Sequence, residues 1–569
     1  MKKFLYPFSI ITIISWILFL KSTDSIFAVY LVLGIASLFA LRSNRASSVP
    51  KTKPLSVISA FFSLLVILSN YQIFGSYSLI EKALSVVILP VGGFLVFRNI
   101  LAYLRSFALR FEWRKEKYKM SPKKMFLLCF LGFGIIFVSA LLLCCYPGVL
   151  TSDSTWQLGM IKSGAFSNHH PFYHTILIEI FYVTALNITG NHNFAVFCYT
   201  FAQSLIMAAI FSYAIVTLYQ LKLNKKIIAA SIALFALLPC HIVFSFTIWK
   251  DVLFAGGVLL FIVSTYRYLC GIGKLQWLNL VIVAISSLLI CLFRNNGFYA
   301  FIVAFVLFVI LFRRSYIRLT IVLGGSICLS FILYSLLPAF NVAPSEPTES
   351  YSIPLQQIAR VVVENGEISD DEKTQIERLA SFDDIRKSYK SYISDPIKLL
   401  LWTDEKEQYL ADHKMDYLKL WASIGVKNPG LYVKAWVDQT KGYWNGGYNY
   451  WNITLENAEI PDRDSKGGVF YKGLKYYVKL FNDFKLLRLL LCIGLYVWGL
   501  IVIFYLSAVK TDKSLLYLSS LPLFIVATLL IATPVYAEFR YAYSLVCCLP
   551  FLITVLFVKH PKDSKLSKK

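Results

Sequence analysis

Apolar runs of about 18 or more residues recur along the whole chain and are separated by shorter polar segments. A run of this length is what a helix needs to cross the hydrocarbon core of a bilayer. The pattern therefore predicts an all-α polytopic membrane protein with fourteen transmembrane helices. The predicted spans are 4–21, 25–42, 55–73, 80–102, 125–146, 194–220, 227–247, 251–269, 276–293, 297–312, 317–339, 486–508, 515–535 and 540–558.

One apolar run, PFYHTILIEIFYVTAL at 171–186, is predicted to lie in the membrane interface instead of crossing the bilayer. It is short for a span and carries His174 and Glu179. If it crossed, the later basic segments LKLNKK and FRRSYIR and the C-terminal tail would move to the outer side. Because Lys and Arg are enriched in cytoplasmic loops, we interpret the run as an interfacial helix and place both termini in the cytoplasm.

The composition supports membrane insertion, and the distribution of the basic residues indicates what the net charge means. Of the 569 residues, 57% are hydrophobic, the mean hydropathy is +0.63 and the net charge is +24. The basic residues form short clusters between apolar runs, and residues 105–124 hold eight basic and two acidic residues. This positive-inside pattern indicates membrane lipids, and not nucleic acid, as the partner of these clusters. The N-terminal run shows no cleavage site of a secretory signal.

One long polar segment, 341–485, interrupts the spans and holds 22 of the 32 acidic residues. It is too long for a structureless loop and is predicted to form a mixed, mainly helical extracytoplasmic domain. None of the 11 cysteines falls in it, so no disulfide framework is indicated. The predicted organisation is an N-terminal four-helix extension at 1–104, a basic cytoplasmic loop at 105–124, a transmembrane core at 125–340 with the first extracytoplasmic loop and interfacial helix at 147–193, the domain at 341–485, C-terminal transmembrane helices at 486–558 and a basic cytoplasmic tail at 559–569.

The first outer loop contains YPGVLTSDSTWQLGMIKSGAFSNHHPFY, residues 146–173, in which one carboxylate and two adjacent histidines interrupt an apolar chain. Asp153 is a candidate base or acceptor-binding carboxylate at the membrane surface. The alternative is a helix N-cap, a position that suits Asp and the serines beside it. The adjacency of His169 and His170 disfavours a metal pair. One of them is a candidate for a phosphate or hydroxyl contact, and the alternative is a plain loop that opens the interfacial helix.

Three basic residues lie where spans end on the predicted outer side, in the motifs IWKD, RNNG and AEFRY. Positive charge is disfavoured on that side and ionisable groups at membrane depth are costly, so Lys250, Arg294 and Arg540 are candidate phosphate ligands. The alternatives are a Lys that snorkels to the interface and a structural pairing of Glu538 and Arg540 with each other or with Asp251. The polar neighbours included in the candidate site are Asp251, Asn295 and Glu538.

A polar group follows the Pro-rich exit from the eleventh span, in SIPLQQIARVV. On a helix, Gln356 and Arg360 share one face and Gln357 lies on the adjacent face. These three residues are candidates for donor binding, and the alternative is an amphipathic helix that lies on the membrane.

The stretch GYWNGGYNYW at 442–451 combines aromatic rings with Gly and Asn. The segment 434–460 that contains it is predicted to form loop and short strand. Its aromatic residues are a candidate platform for a sugar acceptor, and the alternative is an aromatic belt at the membrane interface. The platform residues are Tyr443, Trp444, Tyr448 and Trp451.

Several motifs together resemble a known class of enzyme. PGVLTSDSTWQ, NHHPFYHT, IWKD, RNNGFY, SIPLQQIARVV and PVYAEFRYAY, spread over residues 125–558, resemble the GT-C glycosyltransferase superfamily and, more narrowly, an uncharacterised family of Gram-positive multipass proteins assigned to that fold. The resemblance implies Asp153 as general base or acceptor orienter and Lys250, Arg294 and Arg540 as ligands of a lipid phosphate. Many members carry two close acids, often DxD-like, whereas TSDST has one. A divalent metal therefore lacks a supporting motif, and no cofactor is expected.

The resemblance implies a cell-membrane enzyme that transfers a sugar from a polyprenyl-phosphate donor to a cell-envelope glycopolymer or glycolipid, with inversion. Two alternatives stay open, a flippase or transporter of a lipid-linked precursor and an envelope polymer ligase. A transporter favours ionisable groups near mid-span and related halves. In this chain the charges gather at outer span ends, so the sequence favours the enzyme.

Overall fold

The computed structural model describes residues 2–22, 27–43, 52–312, 315–447, 455, 460 and 468–558. In these residues the secondary structure is helical, and β structure is limited to isolated bridges such as Val149–Thr247. The predicted all-α class is therefore confirmed. The basic tail at 559–569 and the platform residues Tyr448 and Trp451 lie outside the described residues.

The N-terminal extension packs around one long helix. That helix begins at a capping box, in which the backbone N–H of Ser78 donates to the Glu81 carboxylate at 2.8 Å and the Glu81 N–H faces the Ser78 hydroxyl. Gly92 allows a close approach to the first helix, because a Cβ here would lie 2.6 Å from Cβ of Trp16. The helices are α1 (Lys2–Phe19), α2 (Phe27–Arg42), α3 (Lys53–Ser69), α4 (Ile73–Ser76) and α5 (Leu79–Arg110).

The central bundle surrounds one almost fully buried helix, α12 (Lys250–Cys270). Pro239 separates α10 (Lys225–Leu237) from α11 (Pro239–Ser245) with a bend of 52°, since proline lacks the N–H that would continue the helix. The helices of this part are α6 (Pro122–Cys144), α7 (Ser152–Ser163), α8 (Phe172–Thr189), α9 (His192–Gln220), α10 (Lys225–Leu237), α11 (Pro239–Ser245), α12 (Lys250–Cys270), α13 (Gln276–Phe293), α14 (Asn295–Phe312) and α15 (Ile317–Ser335).

The described residues 347–444 are mainly helical, and those from Tyr351 to Tyr432 share an apolar core of their own, which includes Val361, Ile376 and Ile424. We refer to this part as the helical domain. The C-terminal helices then return to the bundle. The helices of the domain are α16 (Pro347–Ser350), α17 (Ser352–Val363), α18 (Asp370–Glu377), α19 (Phe382–Ser388), α20 (Asp395–Lys398), α21 (Asp404–Asp412), α22 (Lys414–Lys427) and α23 (Pro429–Trp444), and those that follow are α24 (Val469–Asp483), α25 (Lys485–Arg488), α26 (Ile493–Val509), α27 (Lys513–Ile531) and α28 (Tyr543–Leu556).

Ten described helices are long and apolar enough to cross a membrane, and twelve if each of two bent pairs counts as one span. This is the architecture of a multipass membrane protein. A helix covers part of every predicted span, but the apolar helical stretches Tyr6–Phe19, Phe27–Arg42 and Lys53–Ser69 in the N-terminal extension are shorter than the other ten. The total of fourteen spans stays a prediction.

Helix α8 does not carry the chain from one end of the bundle to the other. The α9 residue Thr200 donates to the Pro147 carbonyl at 2.7 Å, whereas Tyr219 donates to the Met120 carbonyl at 2.7 Å. Pro147 and Met120 flank opposite ends of α6, so α9 runs antiparallel to α6. The chain between residues 147 and 192 therefore starts and ends at the same end of the bundle. This geometry supports the interfacial helix predicted at 171–186, although its length and composition alone would allow a span.

The prediction of loop and short strand for 434–460 is wrong for its first part, because α23 extends to Trp444. The aromatic residues that indicated a loop pack against other helices instead. Trp436 Nε1 donates to the Leu530 carbonyl at 2.9 Å, and the Tyr443 hydroxyl donates to the Tyr536 carbonyl at 3.2 Å. These tertiary contacts stabilise helical backbone where the local composition favours a turn.

Helix α23 also contacts the N-terminal extension. Its Asp438 carboxylate accepts hydrogen bonds from Tyr71 at 2.7 Å and Gln72 at 3.3 Å, and it pairs with Arg360 of α17 at 2.6 Å. Just after the helix, Asn445 accepts from Tyr30 at 3.2 Å. The first helices of the chain are thereby fixed to the same helix that contacts the segment between α27 and α28.

Candidate functional site

A cavity of about 780 Å³ lies between one end of the bundle and the helical domain. Its walls come from α7, the loop before α8, the first turn of α12, the start of α14, the domain segments around α16 and α20, and the segment that joins α27 to α28. This volume is typical of a small-molecule site. The cavity brings together seven of the residues predicted from the sequence, although they are distant in the chain: Asp153, His169, His170, Lys250, Arg294, Asn295 and Arg540.

Asp153 lies in the first turn of α7, but it does not cap that helix. The cap is Thr151, whose backbone N–H donates to the Ser154 hydroxyl at 2.6 Å. The Asp153 carboxylate instead lies 2.9 Å from Nη1 of Arg540 and 3.6 Å from Nζ of Lys250. Thr151 therefore takes the capping role that the sequence left open for Asp153. The Asp153 carboxylate contacts the cations of the cavity instead.

The charges around Asp153 keep it ionised. Burial alone raises the pKa of this carboxyl, but the positive charges of Arg540 and Lys250 outweigh burial and hold the pKa well below its usual range. In this ion-paired state Asp153 is a weak base. A group that drew Arg540 or Lys250 away from it would raise its pKa and make it a better proton acceptor.

His170 is held as a neutral imidazole by its neighbour. Nζ of Lys250 lies 2.9 Å from Nδ1 of His170. An ammonium group can only donate, so Nδ1 accepts and the ring proton is on Nε2. Burial, followed by the charge of Lys250, lowers the pKa of His170 to about 2. Within the described chain Nε2 has no protein acceptor, and this N–H is a donor available to a molecule in the cavity.

Arg540 is fixed by acids on one side and aromatic rings on the other. Its Nε donates to Glu538 at 2.8 Å, and its guanidinium lies 4.9 Å from the ring centroid of Trp249 and 5.0 Å from that of Tyr541. Trp249 is held in turn by a hydrogen bond of 2.6 Å to the Thr151 hydroxyl. Burial raises the pKa of Glu538, although the charge of Arg540 opposes the shift.

Arg294 forms a buried ion pair with Asp251 behind this group. Its guanidinium lies 4.6 Å from the ring centroid of Tyr541, which places it beside Arg540. Asn295 and Asn296 also line the cavity, and Nδ2 of Asn296 is buried without a partner among the described residues. The pairing of Arg540 with Glu538 that the sequence left as an alternative is therefore present, whereas Asp251 pairs with Arg294.

A network of polar side chains beneath the cavity escaped the sequence analysis. His174 Nε2 lies 2.9 Å from the Tyr199 hydroxyl, and His174 Nδ1 lies 3.0 Å from the Gln157 amide. Gln203 donates to the carbonyls of Ser245 at 3.0 Å and Thr247 at 2.8 Å. Tyr199 links the two halves by donating to Gln203 at 3.1 Å. The network joins α7, which carries Asp153, to the loop that leads into Lys250.

The outer wall of the cavity is aromatic and acidic, and the sequence analysis missed most of it. The indole of Trp156 stacks on the His169 ring at 5.4 Å and on the indole of Trp402 at 6.0 Å between centroids. His169 also contacts the Glu346 carboxylate through Nδ1. Of these residues only His169 was a candidate. A tryptophan in a polar segment carries no local signal that it will face a cavity.

The structure separates two groups of predicted residues from the cavity. Gln356 donates to the carbonyls of Lys390 and Ile393, Gln357 donates to the Tyr432 carbonyl, and Arg360 pairs with Asp438, all inside the helical domain. The segment of these residues is a core helix of that domain and not an amphipathic helix on the membrane. Tyr443 and Trp444 are fully or almost fully buried, so they do not form an exposed platform. Both groups stabilise the helices they lie on.

The described residues of the site combine three cations with three carboxylates. Such a site can bind a phosphate through cations that are already in place, and it places the Asp153 carboxylate beside those cations. In the part of the chain that the structure describes, no three His, Cys, Asp or Glu side chains converge as a possible metal site.

The fold and the site define a multipass helical membrane protein with a buried, charged cavity beneath a helical domain. The chain belongs to a family of unknown function, DUF6020, whose model matches residues 161–569. The match includes His169, His170, Lys250, Arg294 and Arg540, but it begins after Asp153. No curated protein and no solved structure matches the chain.

Proposed function

We propose that this protein is a GT-C-type membrane glycosyltransferase. It transfers a sugar from a polyprenyl-phosphate donor to a cell-envelope glycopolymer or glycolipid on the outer face of the membrane. The observation that carries the proposal is the ion-paired position of Asp153, 2.9 Å from Arg540 and 3.6 Å from Lys250, in a cavity at the end of the bundle. A carboxylate beside fixed cations suits the removal of a proton while a phosphate leaves.

The reaction follows from these positions. The acceptor hydroxyl attacks the anomeric carbon of the donor sugar, and the bond from that carbon to the phosphate oxygen breaks. Lys250, Arg294 and Arg540 stabilise the negative charge that develops on the leaving polyprenyl phosphate. When the phosphate engages Arg540 and Lys250, the pKa of Asp153 rises, and Asp153 takes the hydroxyl proton. One displacement with one base inverts the configuration at the sugar.

The cavity also reaches surfaces that suit a lipid-borne donor. Tyr299 of α14 and Ile531 of α27 line the cavity and are 63% and 77% exposed. Both helices are apolar enough to cross a membrane, so exposed side chains on them face lipid in a bilayer. An isoprenoid chain can remain in the bilayer while its phosphate enters between these helices.

The basic segments support the outer location of the cavity. The backbone N–H of Trp113 donates to the Phe557 carbonyl at 3.0 Å, and that of Glu116 donates to the Lys222 carbonyl at 2.8 Å. The segment 105–124 therefore lies at the ends of α9 and α28 that are remote from the cavity. Because basic loops face the cytoplasm, the cavity faces outward and both termini are cytoplasmic.

The alternatives are a flippase of a lipid-linked precursor and an envelope polymer ligase. The charged residues of the site cluster at one end of the bundle, whereas a transporter concentrates them near mid-membrane between related halves. A ligase would use the same chemistry with a longer, oligosaccharide donor. The cavity volume of about 780 Å³ favours one sugar phosphate, although an oligosaccharide could extend past the outer wall.

The test is transfer by purified protein from a panel of radiolabelled polyprenyl-phosphate sugars, wild type beside Asp153→Asn. Loss of transfer in a folded Asp153→Asn protein supports the proposal, and equal transfer in both proteins removes Asp153 from the mechanism. The matched control is Asp383→Asn, since that side chain is 81% exposed on the helical domain and does not line the cavity. No transfer, but movement of labelled lipid between the leaflets of liposomes, would favour the flippase.

A further inference from the structure

We propose that the outer wall of the cavity is a saccharide subsite, in which a pyranose ring lies against Trp156 and Trp402. Its hydroxyls bond to Glu349, Asp395 and Lys398. This inference rests on the proposed glycosyl transfer and names where the sugar binds. It replaces the aromatic platform that the sequence predicted elsewhere in the domain.

The two indoles form one aromatic surface from different parts of the fold. Trp156 projects from α7 of the bundle and Trp402 follows α20 of the domain, and their rings are 15° from parallel. They remain 44% and 41% exposed although each is stacked on the other. A pyranose presents a face of C–H groups that packs against an aromatic ring while its hydroxyls point sideways. An exposed indole pair at a cavity wall suits such a ring.

The hydrogen-bonding groups beside the indoles are already oriented. Lys398 is almost buried, with 8% of its side chain exposed, and its Nζ lies 2.8 Å from Glu349 and 2.9 Å from Asp395. Each contact uses one carboxylate oxygen. The second oxygen of each has no hydrogen-bond partner among the described residues. Carboxylate oxygens accept hydrogen bonds from hydroxyls, so these atoms are available to a sugar.

The subsite is continuous with the cations. Trp156 lies three residues after Asp153 on the same helix, which places both on one face of α7. Its ring centroid is 6.3 Å from that of His170, and His170 contacts Lys250. A saccharide whose phosphate is at Lys250 therefore reaches the indoles. The outer carboxylates disfavour a uronic acid, and the subsite is expected to prefer an uncharged sugar.

A pyranose could reach this wall from either substrate. The sugar of the polyprenyl-phosphate donor would arrive with its phosphate at the cations, whereas the acceptor would arrive without one. The chemistry of recognition is the same in both cases, so the experiment needs one ligand for each source.

The test uses full-length protein in nanodiscs and compares wild type with Trp402→Ala. Binding is measured for bare polyprenyl phosphate, polyprenyl-phosphate glucose, polyprenyl-phosphate glucuronate and soluble maltoheptaose. For a donor subsite, Trp402→Ala weakens binding of the glucosyl lipid by about five- to tenfold and leaves bare polyprenyl phosphate unchanged. The wild-type protein binds the glucosyl lipid more tightly than the glucuronate. For an acceptor subsite, only maltoheptaose binding weakens. The control is Trp277→Ala, a 60% exposed tryptophan on α13 outside the cavity lining.

Equal affinities of wild type and Trp402→Ala for every sugar ligand, with bare lipid still bound, would overturn the subsite and leave the proposed transferase standing. If the wild-type protein does not bind bare polyprenyl phosphate, that result counts against the proposed transferase. The binding of maltoheptaose would then be the remaining test of whether the indoles bind a sugar. Asp395→Asn is the second variant, because it keeps the shape of the side chain. Asp395→Asn is expected to weaken binding of the same ligand whose binding Trp402→Ala weakens.

Discussion

Nζ of Lys250 lies 2.9 Å from Nδ1 of His170, and this contact fixes the tautomer of the imidazole. The lysine occupies the ring nitrogen that would otherwise take up a proton, and its charge adds to the effect of burial. The wild-type cavity therefore keeps His170 neutral at every physiological pH. Its remaining N–H points to a role as a hydrogen-bond donor rather than as a base.

Replacing Lys250 with methionine is expected to make His170 titrate. The pKa of His170 is about 2 in the wild type through burial and the charge of Lys250, and it is expected to rise when that charge is lost, because Asp153 favours the charged ring. Protonated His170 attracts a phosphate. Binding of polyprenyl phosphate to Lys250→Met should therefore strengthen as the pH falls from about 8 to 5, whereas the wild type shows no His170-dependent change.

The control for this pH effect is the double variant Lys250→Met/His170→Gln. It lacks the imidazole and should bind the lipid without the new pH dependence. The same pH dependence in the double variant would assign it to another group, such as His169, and would contradict the role of the Lys250 contact.

Asp153→Asn is expected to strengthen binding of polyprenyl phosphate and to weaken sugar transfer. The carboxylate neutralises Arg540 and Lys250, so its removal leaves their charge available to the phosphate. Bare polyprenyl phosphate should bind several-fold more tightly, while transfer falls by about 10²- to 10⁴-fold, the usual contribution of a general base. Isothermal binding and radiolabel transfer measure the two effects. Weaker lipid binding in a folded variant would show that Asp153 contributes to the phosphate site in another way.

Much of the fold could be predicted because apolar length is a local property of the chain. Each predicted span contains a helix, and the interfacial position predicted for α8 rests on the charges of segments that lie later in the sequence. The error at α23 has a tertiary cause. Residues 434–444 have a composition typical of a loop, but Trp436 and Tyr443 make hydrogen bonds to the segment around α27 that only the folded chain provides.

The residues of the candidate site could be predicted where their type is unusual for their position in the sequence. A cation at the outer end of an apolar run is unusual, and Lys250, Arg294 and Arg540 do meet around the cavity. Trp402 and Lys398 lie in a polar segment, where such residues are ordinary. Their role depends on how the domain covers the bundle, which no local pattern encodes.

Removing Arg294 alone should destabilise the protein more than removing it with its partner. Asp251 is buried and its ion pair is with Arg294, so Arg294→Met leaves a charge without compensation. The expected loss is about 3–5 kcal/mol of unfolding free energy, visible as a lower melting temperature in detergent. Arg294→Met/Asp251→Asn should recover much of it. A double variant as unstable as the single one would show that the pair is not the cause.

Asp438→Ala tests whether the N-terminal helices support the site through α23. The carboxylate is buried, accepts from Tyr71 and pairs with Arg360 and Lys441, so its loss removes negative charge beside two largely buried cations and costs about 3–5 kcal/mol of stability. Because Tyr443 of the same helix contacts the segment that carries Arg540, binding of polyprenyl phosphate should weaken as well. The surface variant Asp416→Ala is the control, since that side chain is 61% exposed. If Asp438→Ala keeps full stability but binds the lipid more weakly, Asp438 contributes to lipid binding and not to stability. If both stability and lipid binding are unchanged, the N-terminal extension folds independently of the cavity.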